Sequence, residues 1–245
     1  MGMKRILAAL LLLTLAAPAW GQVFEKGLEA YKQRDYATAL SEWRPLAERG
    51  HADAQVKLGF MYADGKGVPQ DYAKAVGWWC KAAEQGYAKA QYNLGFMYGN
   101  GLGVPQDGAE AVKWYRKAAE QGFAKAQSHL GSLYTLGIRV PQDIAEAAKW
   151  YRKAADQGYA GAQYNLGRMY VDGAGVPQDY VQAHMWLNLA ASRALQQSSL
   201  GSLPISVGVT DRDMAVKNRD IVAEKMTPAQ ISEAQKLARE WKPKK

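Results

Sequence analysis

A 36-residue period constrains this chain more than any other feature. Ala-Gln recurs at Ala54, Ala90, Ala126 and Ala162, Leu-Gly at Leu58, Leu94, Leu130 and Leu166. Tyr62, Tyr98, Tyr134 and Tyr170 keep the same interval, as do Trp78, Trp114, Trp150 and Trp186. A fixed period of this size marks tandem supersecondary units. Ala54, Leu58 and Tyr62 fall at i, i+4 and i+8, one face of a helix, and Ala75, Trp78, Trp79 and Ala82 form the stripe of a second. Gly86, Gly122 and Gly158 follow that second stripe, where a left-handed residue ends a helix. Such a pair cannot bury its apolar face alone, so neighbouring pairs must stack.

Between the two helices the chain spells VPQD four times, at Val68–Asp71, Val104–Asp107, Val140–Asp143 and Val176–Asp179. Three copies follow a G-x-G, the outline of a phosphate-cradling loop. That loop needs a strand before it and Lys-Ser/Thr after it, and neither is there. A calcium loop fails as well, because each copy offers only two spaced acids. The loop reads as framework. Pro69 and its counterparts prevent the first helix from continuing, and Asp71, Asp107, Asp143 and Asp179 stand as N-caps of the second. "DGAE", "DIAE" and "DYVQ" continue as capping boxes. The third copy departs from the rule. "TLGIRVPQD" puts Leu136 where Asp or Asn stands elsewhere, and Arg139 where Gly67, Gly103 and Gly175 stand.

Written as AQ-x2-LG-x-MY-x2-G-x-GVPQD-x2-A-x3-W-x-KAA-x-QG, the unit resembles the Sel1-like repeat family in four consecutive copies, from Ala52 to about Ala194. The resemblance implies an all-α fold, a right-handed α-solenoid of antiparallel, tetratricopeptide-like helix pairs. It implies a protein adaptor, often of a secreted or envelope setting. In such stacks the first helices line a concave wall. The core takes Ala54, Leu58 and Tyr62, so the open face falls on Asp53, Val56 and Phe60, then Lys89, Tyr92 and Phe96, then Lys125, Ser128 and Ser132, then Gly161, Tyr164 and Arg168. By resemblance these positions hold peptides. Tyr92, Phe96 and Tyr164 either line that groove or pack on the adjacent helix. Trp114, Trp150 and Trp186 are expected in the core.

The ends differ from the repeats. "MGMKR", a twelve-residue apolar run and the small residues of "PAWGQ" form a signal-peptide layout over residues 1–21, with cleavage near Gly21 and cleavage after Ala19 as the alternative. The apolar run is shorter than the roughly 20 residues that span a bilayer. The address is therefore periplasmic or secreted, in a Gram-negative bacterium, with the membrane met only during export. Residues 22–51 read as a tetratricopeptide-like capping pair with Pro45 in its second helix, 52–195 as the four repeats, 196–210 as a linker and 211–245 as capping helices. Thr227, Pro228 and Gln230 spell a helix start. The tail lysines, Lys242, Lys244 and Lys245, read as solvated.

Candidate chemistry is sparse. The formal net charge is +8, of which the leader carries Lys4 and Arg5, and an exported address argues against nucleic acid as the partner. Cys80 is the only cysteine, so its chain holds no disulfide framework; it is either incidental or a link between two chains. His51, His129 and His184 share no metal spacing. No G-x-S-x-G occurs and no Ser precedes a Lys by three residues, so catalysis of the β-lactamase-like kind is not expected, nor is any cofactor. The expected partner is a protein or peptide of apolar and acidic character. The alternative is a glycan such as peptidoglycan, oriented by Asn93 and Asn165.

Overall fold

The computed structural model describes residues 20–197 and 212–244. Among them all regular secondary structure is helical: α1 (20–32), α2 (Tyr36–Glu48), α3 (Ala52–Asp64), α4 (Tyr72–Glu84), α5 (Ala88–Asn100), α6 (Gly108–Glu120), α7 (Ala124–Leu136), α8 (Ile144–Asp156), α9 (Ala160–Asp172), α10 (Tyr180–Gln197), α11 (Arg212–Ala223) and α12 (Pro228–Glu240). Most of the expected leader, residues 1–19, and most of the expected linker, 198–210, lie outside the described residues. The chain divides into two compact units, Met1–Ala111 and Val112–Lys245. Within each, successive helices pack as pairs, the all-α solenoid arrangement.

In the first unit the core gathers Trp43, Leu46, Leu58 and Met61, with Phe24 and Tyr31 of α1 packed against it. In the second, Tyr151, Leu166, Met169 and Trp186 form one cluster, and Tyr164, Leu187, Ala215 and Val222 another. The periodic tryptophan is not the deepest position. That is the residue after it: Trp79 in the first unit, Tyr115, Tyr151 and Leu187 in the second. Trp150 and Trp186 are buried as expected, but Trp114, like Trp78, is only half-buried. A lysine one turn on covers the ring instead. Lys81 lies 4.4 Å from the Trp78 ring centroid, Lys117 4.4 Å from Trp114 and Lys153 4.2 Å from Trp150.

Gly59, Gly131 and Gly167 of the Leu-Gly pairs make room for the deep side chain. A Cβ on Gly59 would stand 2.3 Å from Trp79 Nε1, and one on Gly131 2.8 Å from the Tyr151 ring. Both are closer than packed atoms approach. Leu-Gly is therefore a contact between two helices, written on one of them.

The VPQD loops turn their Asp N–H groups, Gln amides and Asp carboxylates onto the fold itself. The Asp71, Asp107, Asp143 and Asp179 N–H groups donate to the carbonyls of Tyr62, Tyr98, Tyr134 and Tyr170, at 2.9, 2.9, 3.0 and 3.0 Å. Gln70, Gln106, Gln142 and Gln178 side chains donate to the carbonyls of Ala63, Gly99, Thr135 and Val171, at 2.8 to 2.9 Å. The Asp carboxylates accept from the helix that follows, Asp71 from Lys74 N–H at 2.9 Å and Asp143 from Glu146 N–H at 2.8 Å. Asp143 forms only this half of its expected capping box. The N–H that Glu146 would have accepted already goes to Tyr134.

Arg139 takes the left-handed backbone of its glycine counterparts, with φ at 65° against 72° for Gly103. A side chain there costs about 1–2 kcal/mol, and glycine gives back about 0.5–1 kcal/mol through the freer unfolded chain. Arg139→Gly is therefore expected to raise the melting temperature by about 1–3 °C. An unchanged or lower value shows that the arginine side chain offsets its own strain.

The Ala-Gln and Gln-Gly signatures are two halves of one amide relay. Gln55, Gln91, Gln127 and Gln163 are buried and donate to the carbonyls of Ala47, Ala83, Ala119 and Ala155, at 2.9 to 3.2 Å. In return Gln55 Oε1 accepts from Gln85 at 2.8 Å, and Gln127 Oε1 from Gln157 at 2.8 Å. Gln163 Oε1 has no hydrogen-bond partner among the described residues. One period after Gln157 the sequence has Arg193, and after Gly158 it has Ala194. With no glycine to stop it, α10 runs on for 18 residues to Gln197, so residues 196 and 197 are helix rather than linker.

The C-terminal helices close the second unit. Thr227 Oγ1 accepts from Gln230 N–H at 3.3 Å, and Gln230 Oε1 accepts from Thr227 N–H at 2.9 Å, so α12 opens on a complete capping box. Leu237, Ala238 and Trp241 pack on the Trp186 cluster. Lys244 is not simply solvated. Its N–H donates to the Asp156 carbonyl at 2.8 Å and its ammonium pairs with the Asp156 carboxylate at 2.7 Å.

Candidate binding surface

With loops and amides committed to the framework, the outer faces of the first helices remain. The structure divides the ten expected groove residues. In the first unit Val56 is buried, and its carbonyl accepts from Trp79 Nε1 at 3.2 Å. Tyr92 and Phe96 are each only 8% exposed. In the second, Ser128 is buried, and Tyr164 is 8% exposed beneath α11, its hydroxyl accepting from Asn218 Nδ2 at 2.8 Å. These five do not line an open groove. They stand at the edge of the buried stripe, where an apolar or long side chain folds down onto the neighbouring helix. For Tyr164 that neighbour lies outside the repeats altogether.

The other five stay reachable. On the first unit Phe60 is half-buried, edge-on to Trp79 with ring centroids 5.3 Å apart, and the exposed Lys89 ammonium lies 5.0 Å from its ring centroid. Beside them Asp53 accepts from the Tyr87 hydroxyl at 2.6 Å. Burial, reinforced by that carboxylate, pushes the Tyr87 hydroxyl up to about 12. Lys57 lies 5.8 Å from the Trp43 ring centroid; burial first, then repulsion by Lys89, holds its ammonium below the usual lysine range. This face concentrates positive charge over aromatic rings.

On the second unit Lys125 and Ser132 are half-buried, and Ser132 Oγ donates to the Ser128 carbonyl at 3.3 Å and shares a 3.0 Å hydrogen bond with the Tyr151 hydroxyl. Arg168 is exposed, its guanidinium 5.9 Å from the Tyr164 ring centroid. The two units thus present the same motif, an exposed cation over a ring that packing has pinned.

His51 caps α3, its Nδ1 accepting from Ala54 N–H at 3.2 Å, with its ring stacked on Phe24 at 5.2 Å. His129 lies against Tyr115 at 4.3 Å. Among the described residues no three His, Cys, Asp or Glu side chains gather as metal ligands. Cys80 occupies the helix position of Arg44, Arg116 and Arg152, which donate to the hydroxyls of Tyr62, Tyr134 and Tyr170. It is half-buried, and burial pushes its thiol up, away from the reactive thiolate. Among the described residues no helix is long and apolar enough to cross a membrane.

The family model for the Sel1 repeat matches residues 52–87, 88–123, 124–159 and 160–195. No curated protein matches the chain. Among solved structures, a Sel1 repeat protein from Oxalobacter formigenes is 34% identical, with a TM-score of 0.65 over 84% of this chain and 86% of that one. A protective antigen of uropathogenic Escherichia coli with an SLR fold is 30% identical, with a TM-score of 0.45 over 92% of this chain and 57% of that one. An immunity protein from Pseudomonas aeruginosa is 21% identical, with a TM-score of 0.53 over 84% of this chain and 82% of that one.

Proposed function

From the premise that the chain belongs to the Sel1 repeat family, whose stacked pairs commonly serve as protein-interaction scaffolds, we propose an exported adaptor that binds a protein through its first helices and performs no catalysis. The observation that carries this reading is the exposed cation over a pinned ring, Lys89 on Phe60 and Arg168 on Tyr164. Arg and aromatic side chains are favoured in interfaces, and here the ring is already ordered, so a partner need not organise it. The partner chemistry that fits is an acidic segment with apolar residues beside it. The glycan reading loses support, because Asn93 is buried and unavailable to sugar hydroxyls.

Export rests on the layout of the first residues. Trp20, 6.3 Å from the His51 ring and edge-on to it, belongs to the folded first unit. That favours cleavage after Ala19, which also leaves Ala17-Pro18-Ala19 as the small-x-small site. One experiment addresses location and partner. Full-length protein expressed with its leader is recovered from the envelope fraction by cross-linked capture, alongside a Lys89→Glu/Arg168→Glu bait of equal helicity. The expected result is a bait whose mass begins at Trp20 and a protein captured by wild type alone. Recovery of uncleaved protein from the cytoplasm defeats the export reading. The same partner on both baits defeats the assignment of the surface.

A further inference from the structure

The wedge between α10, the last helix of the repeats, and α11 and α12 that follow them forms, among the described residues, a cleft of about 400 Å³. The core-facing stripes of these helices are apolar, with Ala215 and Val222 on α11 and Leu237 and Trp241 on α12. The flanks that face the cleft carry mostly polar groups, beside Ala223 of α11 and Ile231 of α12. His184 and Asn188 stand one turn apart on α10, Arg219 and Asp220 adjoin on α11, and Gln235 and Arg239 stand one turn apart on α12. Four positions at helical spacing on two helices, all polar where they meet, are not what closes a bundle.

The groups are arranged as a receptor. Arg219 is held in place, with Nε and Nη2 donating to Asp220 Oδ1 at 2.8 and 2.7 Å and Nη1 to Asn188 Oδ1 at 3.3 Å. A guanidinium has five N–H donors in a rigid fork, so this leaves two free on an oriented group. Arg239 has no ion pair or hydrogen-bond partner for its side chain among the described residues. His184 is buried, with Nδ1 lacking a hydrogen-bond partner. Burial first, then Arg219, holds its imidazole below the usual range, with Asp220 opposing them. A neutral imidazole presents one donor and one acceptor. Two guanidinium groups therefore face one carboxylate, and the surplus is a positive charge carried by planar donors.

We infer that this cleft binds a carboxylate, with Arg239 as the pairing group and Arg219 as a second, pre-oriented donor. Planar forks match a planar carboxylate in two parallel hydrogen bonds. The volume lies in the range of small-ligand sites, about 300–1,000 Å³, room for a short di-acid or one or two acidic residues of a peptide. The site is independent of the first-helix faces, since none of their residues lines it.

The test is calorimetric titration of the full mature chain with three probes: glutarate, an end-blocked peptide of consecutive glutamates, and inorganic phosphate. Wild type is compared with Arg239→Gln, which breaks no side-chain bond among the described residues and should melt unchanged, and with Arg219→Gln. Binding of glutarate or peptide that weakens about ten- to hundredfold in Arg239→Gln supports the site. Peptide binding alone identifies an acidic segment of a protein as the source of the carboxylate; binding of both shows that a free di-acid suffices. Binding that Arg239→Gln leaves intact overturns the inference, as does the absence of binding by either carboxylate probe. Phosphate binding as tightly as both overturns the carboxylate assignment.

Discussion

Trp79→Ala is expected to lower the unfolding free energy by about 3–5 kcal/mol, the cost of emptying a buried aromatic site. Trp79 is fully buried, donates to the Val56 carbonyl at 3.2 Å, and packs against the helix surface that Gly59 leaves bare. Its loss removes apolar burial and one hydrogen bond to a helix carbonyl. The glycine is expected to matter for the complementary reason. Gly59→Ala places a methyl group 2.3 Å from the indole nitrogen, and a close-packed interior yields to that by shifting a helix, at about 1–3 kcal/mol. The double variant is the sharper measurement. With the indole gone the methyl group has room, so the cost of the double variant should fall short of the sum of the single costs by about 1 kcal/mol or more. Additive costs in urea unfolding would mean that Gly59 and Trp79 are not one contact.

Between pH 7 and pH 5 the protein is expected to lose about 2 kcal/mol through His129 alone. Burial against Tyr115 first, then Arg139 and Lys125, lowers the imidazole from 6.5 to about 4. The folded state thus keeps the ring neutral while the unfolded chain takes up a proton below pH 6.5. Proton uptake by the unfolded state alone destabilises the fold, so the contribution is whole above 6.5, falls as pH drops, and is gone below about 4. His184 is shifted in the same direction and adds to the slope. The Asp caps do not contribute in this window, since Asp35 and Asp71 are lowered from 3.8 and act further into acid. Urea midpoints of wild type and His129→Gln at pH 7 and pH 5 isolate the effect. An equal loss in both proteins would show that the ring is solvated and titrates normally.

The period made the helix pairs legible, because four copies of one pattern average away the accidents of each. Pro69 and Asp71 marked the loop as framework, and the loop spends its polar groups as that reading requires. The depth of a side chain was less legible. Periodicity gives the face of a helix, and neighbouring positions on that face, such as Trp78 and Trp79, differ only in what the next helix brings over them. Tyr92, Phe96 and Tyr164, which the sequence left between groove and packing, are buried for the same reason. The Asn218–Tyr164 bond joins residues 54 apart across a segment with no repeat to guide the reading. The C-terminal cleft was invisible, since it draws on three helices that share no motif. One signal was present: Gln235 and Arg239 follow Ile231 at single-turn spacing, on the flank of a helix whose other stripe is apolar.

The amide relay sets the unit in which this protein changes length. Gln55 and Gln127 each give a hydrogen to the helix pair before them and take one from a glutamine 30 residues ahead. Inserting or deleting a whole repeat leaves every such donor facing an acceptor. A change of any other size strands buried amides, at about 1–3 kcal/mol for each group. Growth and loss along such a lineage therefore come in whole quanta of one repeat. Gln163, with its oxygen unmatched, marks the end of the array at which the next quantum fits.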